Sequence, residues 1–369
     1  MSDIKNLKPG WNVWRFDQIA TNVNVRIDNP SESGMEHYVG LEHLDTESLK
    51  IRRWGTPDDV EATKLMFKKG DIIFGRRRAY QRKLGVAEFD GICSAHAMVL
   101  RAKPEVVLPE FLPFFMQSDL FMNRAVEISV GSLSPTINWK TMAVQKFALP
   151  SMEEQRRLVG QLEAIEVAQA SVREAADAAD VLANAIAKDV LENHPAPRVG
   201  VGTLAKFASG DGIAVSLLSS RPTQTQEVPV YGGNGIAGYS EIPLGKVPEK
   251  TVVIGRVGAY CGRTYFVEGK AWISDNALFT TSISSAVVPE YLAACLAAAN
   301  LNRLSTGGAQ PLINQQIVKA VKIPVPGIEQ QLAVVELIQS ARLAAEAFRR
   351  RASHTKEMKQ LILAGGHDV

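Results

Sequence analysis

The sequence predicts an α+β chain of two pseudo-repeated mixed α/β domains separated by an antiparallel two-helix coiled coil. Three observations predict it. First, landmarks recur in the same order: GRRRAY at 75–80 answers GRVGAY at 255–260, SAHA at 94–97 answers SDNA at 274–277, and VLPEFL at 107–112 answers VVPEYL at 287–292, all at an offset of 180 residues. SLSPTIN at 132–138 then answers GAQPLIN at 308–314, and LPSMEEQ at 149–155 answers VPGIEQQ at 325–331, at an offset of 176. A solenoid repeat runs roughly 20–50 residues, so this spacing marks a duplicated domain with its connector. Second, each copy mixes strand-like and helix-like runs. Third, each copy is followed by a long stretch with helical apolar periodicity.

The boundaries follow: a first domain over 1–150, a long helix over 151–194, a second domain over 195–326 and a second long helix over 327–369. In the first domain YVGLEHL (38–44), DIIFG (71–75), GVAEF (85–89) and AMVLRA (97–102) read as strands, rich in β-branched and aromatic residues. PEFLPFFMQSDLFMNRAVEI (109–128) reads as helix after its prolines. The second domain repeats the plan with VPVYG (228–232), TVVIG (251–255), TYFVE (264–268) and a helix over 289–304.

The first connector has no proline and only Gly160 from Met152 to Asn193, with apolar or alanine residues in steps of three and four from Leu158 to Val190. Ser151 and Glu154 have the spacing of a capping box, and His194-Pro195 ends the run. The C-terminal stretch copies the pattern from Leu332 to Ile362 and ends at Gly365-Gly366. At 1.5 Å per residue each helix is roughly 55–65 Å long. Neither buries its alanine-rich stripe alone. The first is acidic and the second carries Arg349, Arg350 and Arg351, so the simplest arrangement pairs them as a rod with a domain at each end; the alternative packs each on its own domain.

Composition narrows the function classes. A hydrophobic fraction of 46% with 22% charged residues is that of globular protein. No apolar run approaches the ~20 residues needed to span a bilayer, and the N-terminus lacks the apolar core of a signal peptide. Cys93, Cys261 and Cys295 are scattered, as expected of reduced thiols in a cytoplasmic protein. The net charge is only +2, so attraction to a polyanion has to come from local clusters.

GNGIAG at 233–238 fits the glycine spacing of a dinucleotide fingerprint, but Tyr239-Ser240-Glu241-Ile242-Pro243 follows where a helix would have to open. LGK at 244–246 lacks the remaining parts of a phosphate loop, and the six histidines make no paired metal spacing with the cysteines. There is no Pro-Pro-aromatic motif of amino-methyltransferases, no HExxH and no Gly-x-Ser-x-Gly elbow. A duplicated enzyme would show its catalytic residues twice; this chain duplicates glycine, proline, arginine and tyrosine. No cofactor is therefore expected on the chain itself, and no catalytic or metal residue is assigned.

Those residue types suit a binding surface. In GRRRAYQRK (75–83), Arg76, Arg77, Arg78, Arg82 and Lys83 can neutralise phosphates or, for arginine, fork onto a guanine edge, and Tyr80 can pack against sugar. The second copy places Arg256, Tyr260 and Arg263 after the equivalent strand, with Tyr231, Asn234 and Tyr239 in the glycine-rich stretch before it. A solvated charged face is the alternative. Pro135-Thr136-Ile137-Asn138 and Pro311-Leu312-Ile313-Asn314 form a second repeated turn, read either as amides for phosphate or as a tight turn into the closing strand. Gln155 and Gln331 read as capping or packing residues.

YVGLEHL, the paired Gly-Arg turns, YGGNGIAGY (231–239), the paired P-x-I-N turns and the P-x-x-E-Q helix starts together resemble the DNA specificity subunits of Type I restriction–modification systems, over essentially the whole chain. The resemblance implies two target-recognition domains, each reading one half of a split, asymmetric site in double-stranded DNA. It implies a non-catalytic subunit of a phage-defence complex for restriction and DNA methylation, joined by two methyltransferase subunits holding S-adenosylmethionine and by motor-nuclease subunits. YGGNGIAGY has no clear counterpart in the first half, which suits two different half-sites. Three other readings stay open: a recognition subunit of another phage-defence methylation system, a nucleotide-binding enzyme using GNGIAG, and a protein–protein scaffold.

Overall fold

The computed structural model describes residue 7 and residues 9–46, 48–306 and 311–364. The predicted glycine stop at 365–366 and Gly307–Gln310 of the flexible run before the second P-x-I-N turn lie outside them. The chain divides into two compact units: residues 1–172 with 351–369, and residues 173–350. Each unit thus takes in one domain and parts of both long helices.

In the first unit an antiparallel sheet is ordered Ala20–Val23, Met98–Ala102, Ile72–Phe74, Leu84–Val86. A second sheet is ordered Arg26–Ile27, Lys64–Phe67, Gly91–Ser94, Tyr38–Val39, with the last pair parallel. Asn12–Arg15 pairs with Lys146–Leu149 and closes the domain on itself. The core is strongly aromatic: Phe16, Phe74, Phe115, Phe121 and Phe147 form one ring cluster with centroids 5.3–5.8 Å apart.

The second unit repeats this plan. Its main sheet is ordered Ala205–Ser209, Ala277–Ile283, Lys250–Gly255, Thr264–Glu268. The register is also repeated: Ile73 opposes Val99 and Val253 opposes Phe279, while Phe74 opposes Leu84 and Ile254 opposes Thr264. A one-residue slip turns every side chain to the other face. The shared register therefore keeps the same positions in both cores.

Several sequence expectations need correction. The helix expected over 109–128 is two helices, Phe111–Gln117 and Asp119–Glu127, because Ser118 is extended and its hydroxyl caps the second by accepting from Phe121 N at 3.2 Å. The helix expected over 289–304 ends at Ala298; Asn300 turns left-handed (φ 48°) and only a 3₁₀ turn follows. Of YVGLEHL only Tyr38–Val39 is strand, and Leu41–His43 is a 3₁₀ turn. This strand nevertheless has a counterpart. Val39 lies parallel to Cys93 as Tyr231 lies parallel to Ile273, so the two domains share this short strand although the segments on either side of it differ. The first then makes its 3₁₀ turn and the second the hairpin Val228–Gly232/Gly235–Ser240.

The long helices run Met152–Asn193 and Ile328–Ala364. The Ser151 hydroxyl caps the first by accepting from Glu154 N at 3.3 Å, while the Glu154 carboxylate takes the Arg157 guanidinium at 2.6 and 2.7 Å. The helices lie side by side and antiparallel within each unit. In the second unit Asp180 pairs with Arg349, Ala183 and Ala187 pack with Ile338 and Ala341, and Val190 and Leu191 share a core with Val335. In the first unit Leu158 and Leu162 share a core with Leu363, and Glu166 pairs with Lys359. The acidic first helix and the basic second helix are therefore matched in charge where they meet.

Lys359 is buried. Its ammonium donates to the Gln117 and Glu166 side chains and lies 5.2 Å from the Phe114 ring centroid. Replacing it by methionine leaves the Gln117 carbonyl unpaired and Glu166 without its counter-charge. Lys359→Met is expected to destabilise the chain by about 2 kcal/mol, since Glu166 regains some hydration. A shift in the urea midpoint checks this, and an unchanged midpoint refutes it.

Candidate nucleic-acid interface

In both domains the central strand runs into a glycine and then the basic turn. The turn is braced by the P-x-I-N segment in the same way each time. Ile137 N donates to Arg76 O at 3.0 Å and Arg78 N to Pro135 O at 2.7 Å; Ile313 N donates to Arg256 O at 2.8 Å and Gly258 N to Pro311 O at 3.0 Å. Bridges join Arg77 to Thr136 and Val257 to Leu312. The brace also settles how the second repeated turn works. The amides of Thr136, Ile137, Leu312 and Ile313 are all bonded to the chain's own carbonyls, so these four amides serve the brace and are not available to phosphate.

The sequence-predicted residues of the first domain separate into two groups. Arg82 belongs to the fold: it reaches Gln117 O at 2.8 Å and the Asp119 carboxylate at 2.7 Å. Lys83 likewise donates to Leu41 O at 2.8 Å, tying the turn to the 3₁₀ segment. Arg76 folds inward, donating to Ala95 O at 3.0 Å, and its Nε is buried without a partner. Arg77, Arg78 and Tyr80 face outward. Tyr80 is 55% exposed, and Arg78 has only a 3.3 Å contact to the Ser134 hydroxyl. Arg77 donates to His96 Nε2 at 3.2 Å. Burial first, and then the charges of Arg77, Arg76 and Lys64, hold the His96 pKa below the usual histidine value, so at neutral pH the ring accepts this bond.

In the second domain Asn234, Tyr260 and Arg263 come together. Arg263 donates to Asn234 Oδ1 at 2.8 Å and stacks over the exposed Tyr260 ring at 4.4 Å. It occupies the place of Lys83, and both tie the turn to the loop after the parallel strand. Arg256 N donates to Asn276 O at 2.9 Å. Gly255 is required here, because a Cβ would lie 2.3 Å from Gly233 O. No hydrogen bond or ring contact ties Tyr231 or Tyr239 to this cluster among the described residues. Tyr231 packs on Tyr265 at 6.4 Å, and Tyr239 opposes Pro229 across the hairpin. GNGIAG is the tip and return strand of that hairpin, with no helix at its end, so it lacks the geometry that would hold a pyrophosphate.

One set of polar residues escaped sequence reading. Asn22, Asn24, Arg26 and Thr63 line a cleft of about 260 Å³ with Arg76. The signal was present in TNVNVRI (21–27), whose strict alternation puts both asparagines and the arginine on one face.

The geometry defines a class: a tandem pair of like modules, each presenting a braced basic and aromatic turn with its own set of exposed side chains. A family model of the Type I restriction modification DNA specificity domain matches residues 37–170 and 217–341, and the chain belongs to that family. It is 26% identical over 163 residues to the Type I restriction enzyme EcoDI specificity subunit of Escherichia coli, covering 44% of this chain and 36% of the relative. It is 28% identical over 146 residues to the EcoprrI specificity subunit of Escherichia coli, covering 38% and 34%. The matched region spans about a third of either relative's length. The fold is shared with a chain of a type I R-M system (TM-score 0.65, 21% identity, 98% of each chain). It is also shared with the S subunit of such a system from M. genitalium (TM-score 0.60, 13% identity, 99% of this chain and 97% of the other).

Proposed function

We propose that this chain is a DNA-specificity subunit that reads a bipartite, asymmetric site, one half with each domain, and itself carries out no chemistry. Arg77, Arg78 and Tyr80 contact one half-site; Asn234, Arg256, Tyr260 and Arg263 contact the other. The observation that carries this reading is the duplicated, identically braced turn, which keeps its exposed tyrosine (Tyr80, Tyr260) but has Arg77 and Arg78 in one copy where the other has Val257 and Gly258. A symmetric reader would repeat the side chains along with the brace. Two methyltransferase subunits, which bind S-adenosylmethionine, and motor-nuclease subunits complete the assembly in the cytoplasm, where the DNA is. No helix among the described residues is long and apolar enough to cross a membrane.

The test is to express the chain with its methyltransferase subunits in a host without other DNA methylation and to map the modified bases. A split motif with unlike halves is expected, and Arg77→Ala is expected to relax one half only, at a cost of about 1–3 kcal/mol in discrimination. A motif with identical halves, or an equal loss at both halves from Arg77→Ala, refutes the assignment. A recognition subunit of a methylation system without a nuclease would give the same map but no restriction of unmodified phage.

A further inference from the structure

We infer that the cleft of Asn22, Asn24, Arg26, Thr63 and Arg76 is a phosphodiester clamp. It holds the DNA strand that borders the groove entered by the basic turn of the first domain. The inference rests on the DNA-reading function proposed above and adds a contact site to it.

The cleft lies where the chain passes from one sheet to the other. Ala20–Val23 is the edge strand of the main sheet and Arg26–Ile27 the edge strand of the second, and both bring their side chains to the same recess. The cleft has a volume of about 260 Å³, and Trp139 is among its lining residues. The lining is rich in hydrogen-bond donors. Arg76 also lines the cleft and is held in place there by its bond to Ala95 O at 3.0 Å. Arg26 is exposed, and among the described residues its guanidinium bonds only Asn24 Oδ1, at 3.5 Å, so most of its donors remain for a ligand. The Thr63 hydroxyl is the exception, since it donates to Asp28 at 2.9 Å.

Location decides between anions. Ala95 and Arg76, both in the cleft wall, adjoin His96 and Arg77 of the outward-facing turn. A recess of donors beside a projecting basic turn matches a groove edge: the projection meets bases and the recess meets backbone. Two guanidiniums and two amides, with no carboxylate in the lining, favour an acceptor-only group such as phosphate. The second domain has no such cleft residues at the matching place. Its chain continues as Gly210-Asp211-Gly212, where the Asp211 carboxylate accepts from Lys246 at 2.6 Å and its backbone carbonyl from the Trp272 indole at 2.9 Å. The clamp therefore serves one half of the site.

The experiment measures binding of the full chain, with its methyltransferase subunits, to a duplex carrying its methylation site and to an unrelated duplex over a series of salt concentrations. Arg26→Gln is expected to weaken both by the same factor, roughly 5- to 10-fold, and to lower the slope of log K against log salt by about one. Arg26→Lys is expected to restore the slope. An unchanged affinity and slope overturns the clamp. So does a loss confined to the specific duplex with the slope intact, because that outcome makes Arg26 a base reader. If the unmodified protein shows no salt-dependent binding to either duplex, the DNA-reading function itself falls, a result distinct from failure of the clamp alone.

Discussion

Replacing Gln331 by leucine is expected to lower the stability of the second domain by about 3 kcal/mol. Gln331 is fully buried at the start of the C-terminal helix. Its Oε1 accepts from Val288 N at 2.8 Å, and its Nε2 donates to Ala286 O at 3.0 Å and Pro326 O at 2.9 Å. One amide thus joins the loop before helix Pro289–Ala298 to the turn that launches the long helix. Leucine fills the same space but leaves the buried Pro326 carbonyl and the partly buried Val288 N–H and Ala286 carbonyl without their partner, and an unpaired group costs about 1–3 kcal/mol when buried and less where water reaches it. The same triad recurs at Gln155, with Leu108 N at 2.8 Å, Val106 O at 3.2 Å and Pro150 O at 3.0 Å. Hydrogen exchange gives a local readout: the Val288 amide loses protection in Gln331→Leu, and the Leu108 amide in Gln155→Leu. Retained protection with unchanged stability would falsify the assignment of these glutamines as the joints between domain and helix.

Arg78→Gly is expected to separate stability from binding. Arg78 and Arg82 both adopt left-handed backbone, at φ 57° and 53°. Their counterparts in the second domain are Gly258 and Gly262, at φ 81° and 84°. A non-glycine residue in this region costs about 1–2 kcal/mol. At Arg82 the fold recovers the cost through Gln117 O and Asp119. The Arg78 backbone is held by the brace, but its side chain makes only the weak contact to Ser134, so the guanidinium itself offsets little of the strain. Strain of this kind collects at functional sites. Arg78→Gly relieves it while giving the unfolded chain more freedom, so stability is expected to hold or rise by up to about 1 kcal/mol. DNA affinity is expected to fall about 10-fold, which corresponds to about 1.4 kcal/mol. Arg82→Gly is expected to do the reverse, lowering stability by about 1–2 kcal/mol through the lost ion pair and hydrogen bond. Thermal unfolding and duplex binding measured on both variants decide the matter; a stable Arg78→Gly protein with undiminished affinity would remove Arg78 from the interface.

The two arginines also mark how far sequence reading reached. GRRRAYQRK announced a basic turn, and its recurrence as GRVGAY located that turn after a strand in both domains. Composition treats the five basic residues of the turn alike. Only packing separates Arg77 and Arg78, which face outward, from Arg82 and Lys83, whose charges are bound by groups 35 and 42 residues away in sequence. The same holds for the P-x-I-N turn, whose amides looked available until their carbonyl partners across the brace were seen. The tyrosines of YGGNGIAGY were singled out with Asn234, yet ring contact with Tyr265 and strand pairing with Pro229 engage them in the hairpin.

Period and repetition are local properties, written in the order of residues. They were enough to determine a duplicated α+β chain, two long amphipathic helices and a basic turn after a strand in each domain. Which side chains remain available after folding depends on partners distant in sequence, and no spacing rule records those. Tertiary structure alone therefore decided that Arg82 and Lys83 hold the fold, that the two domains share a short parallel strand between unlike segments, and that an alternating Asn-Asn-Arg strand edge lines a cleft together with Arg76.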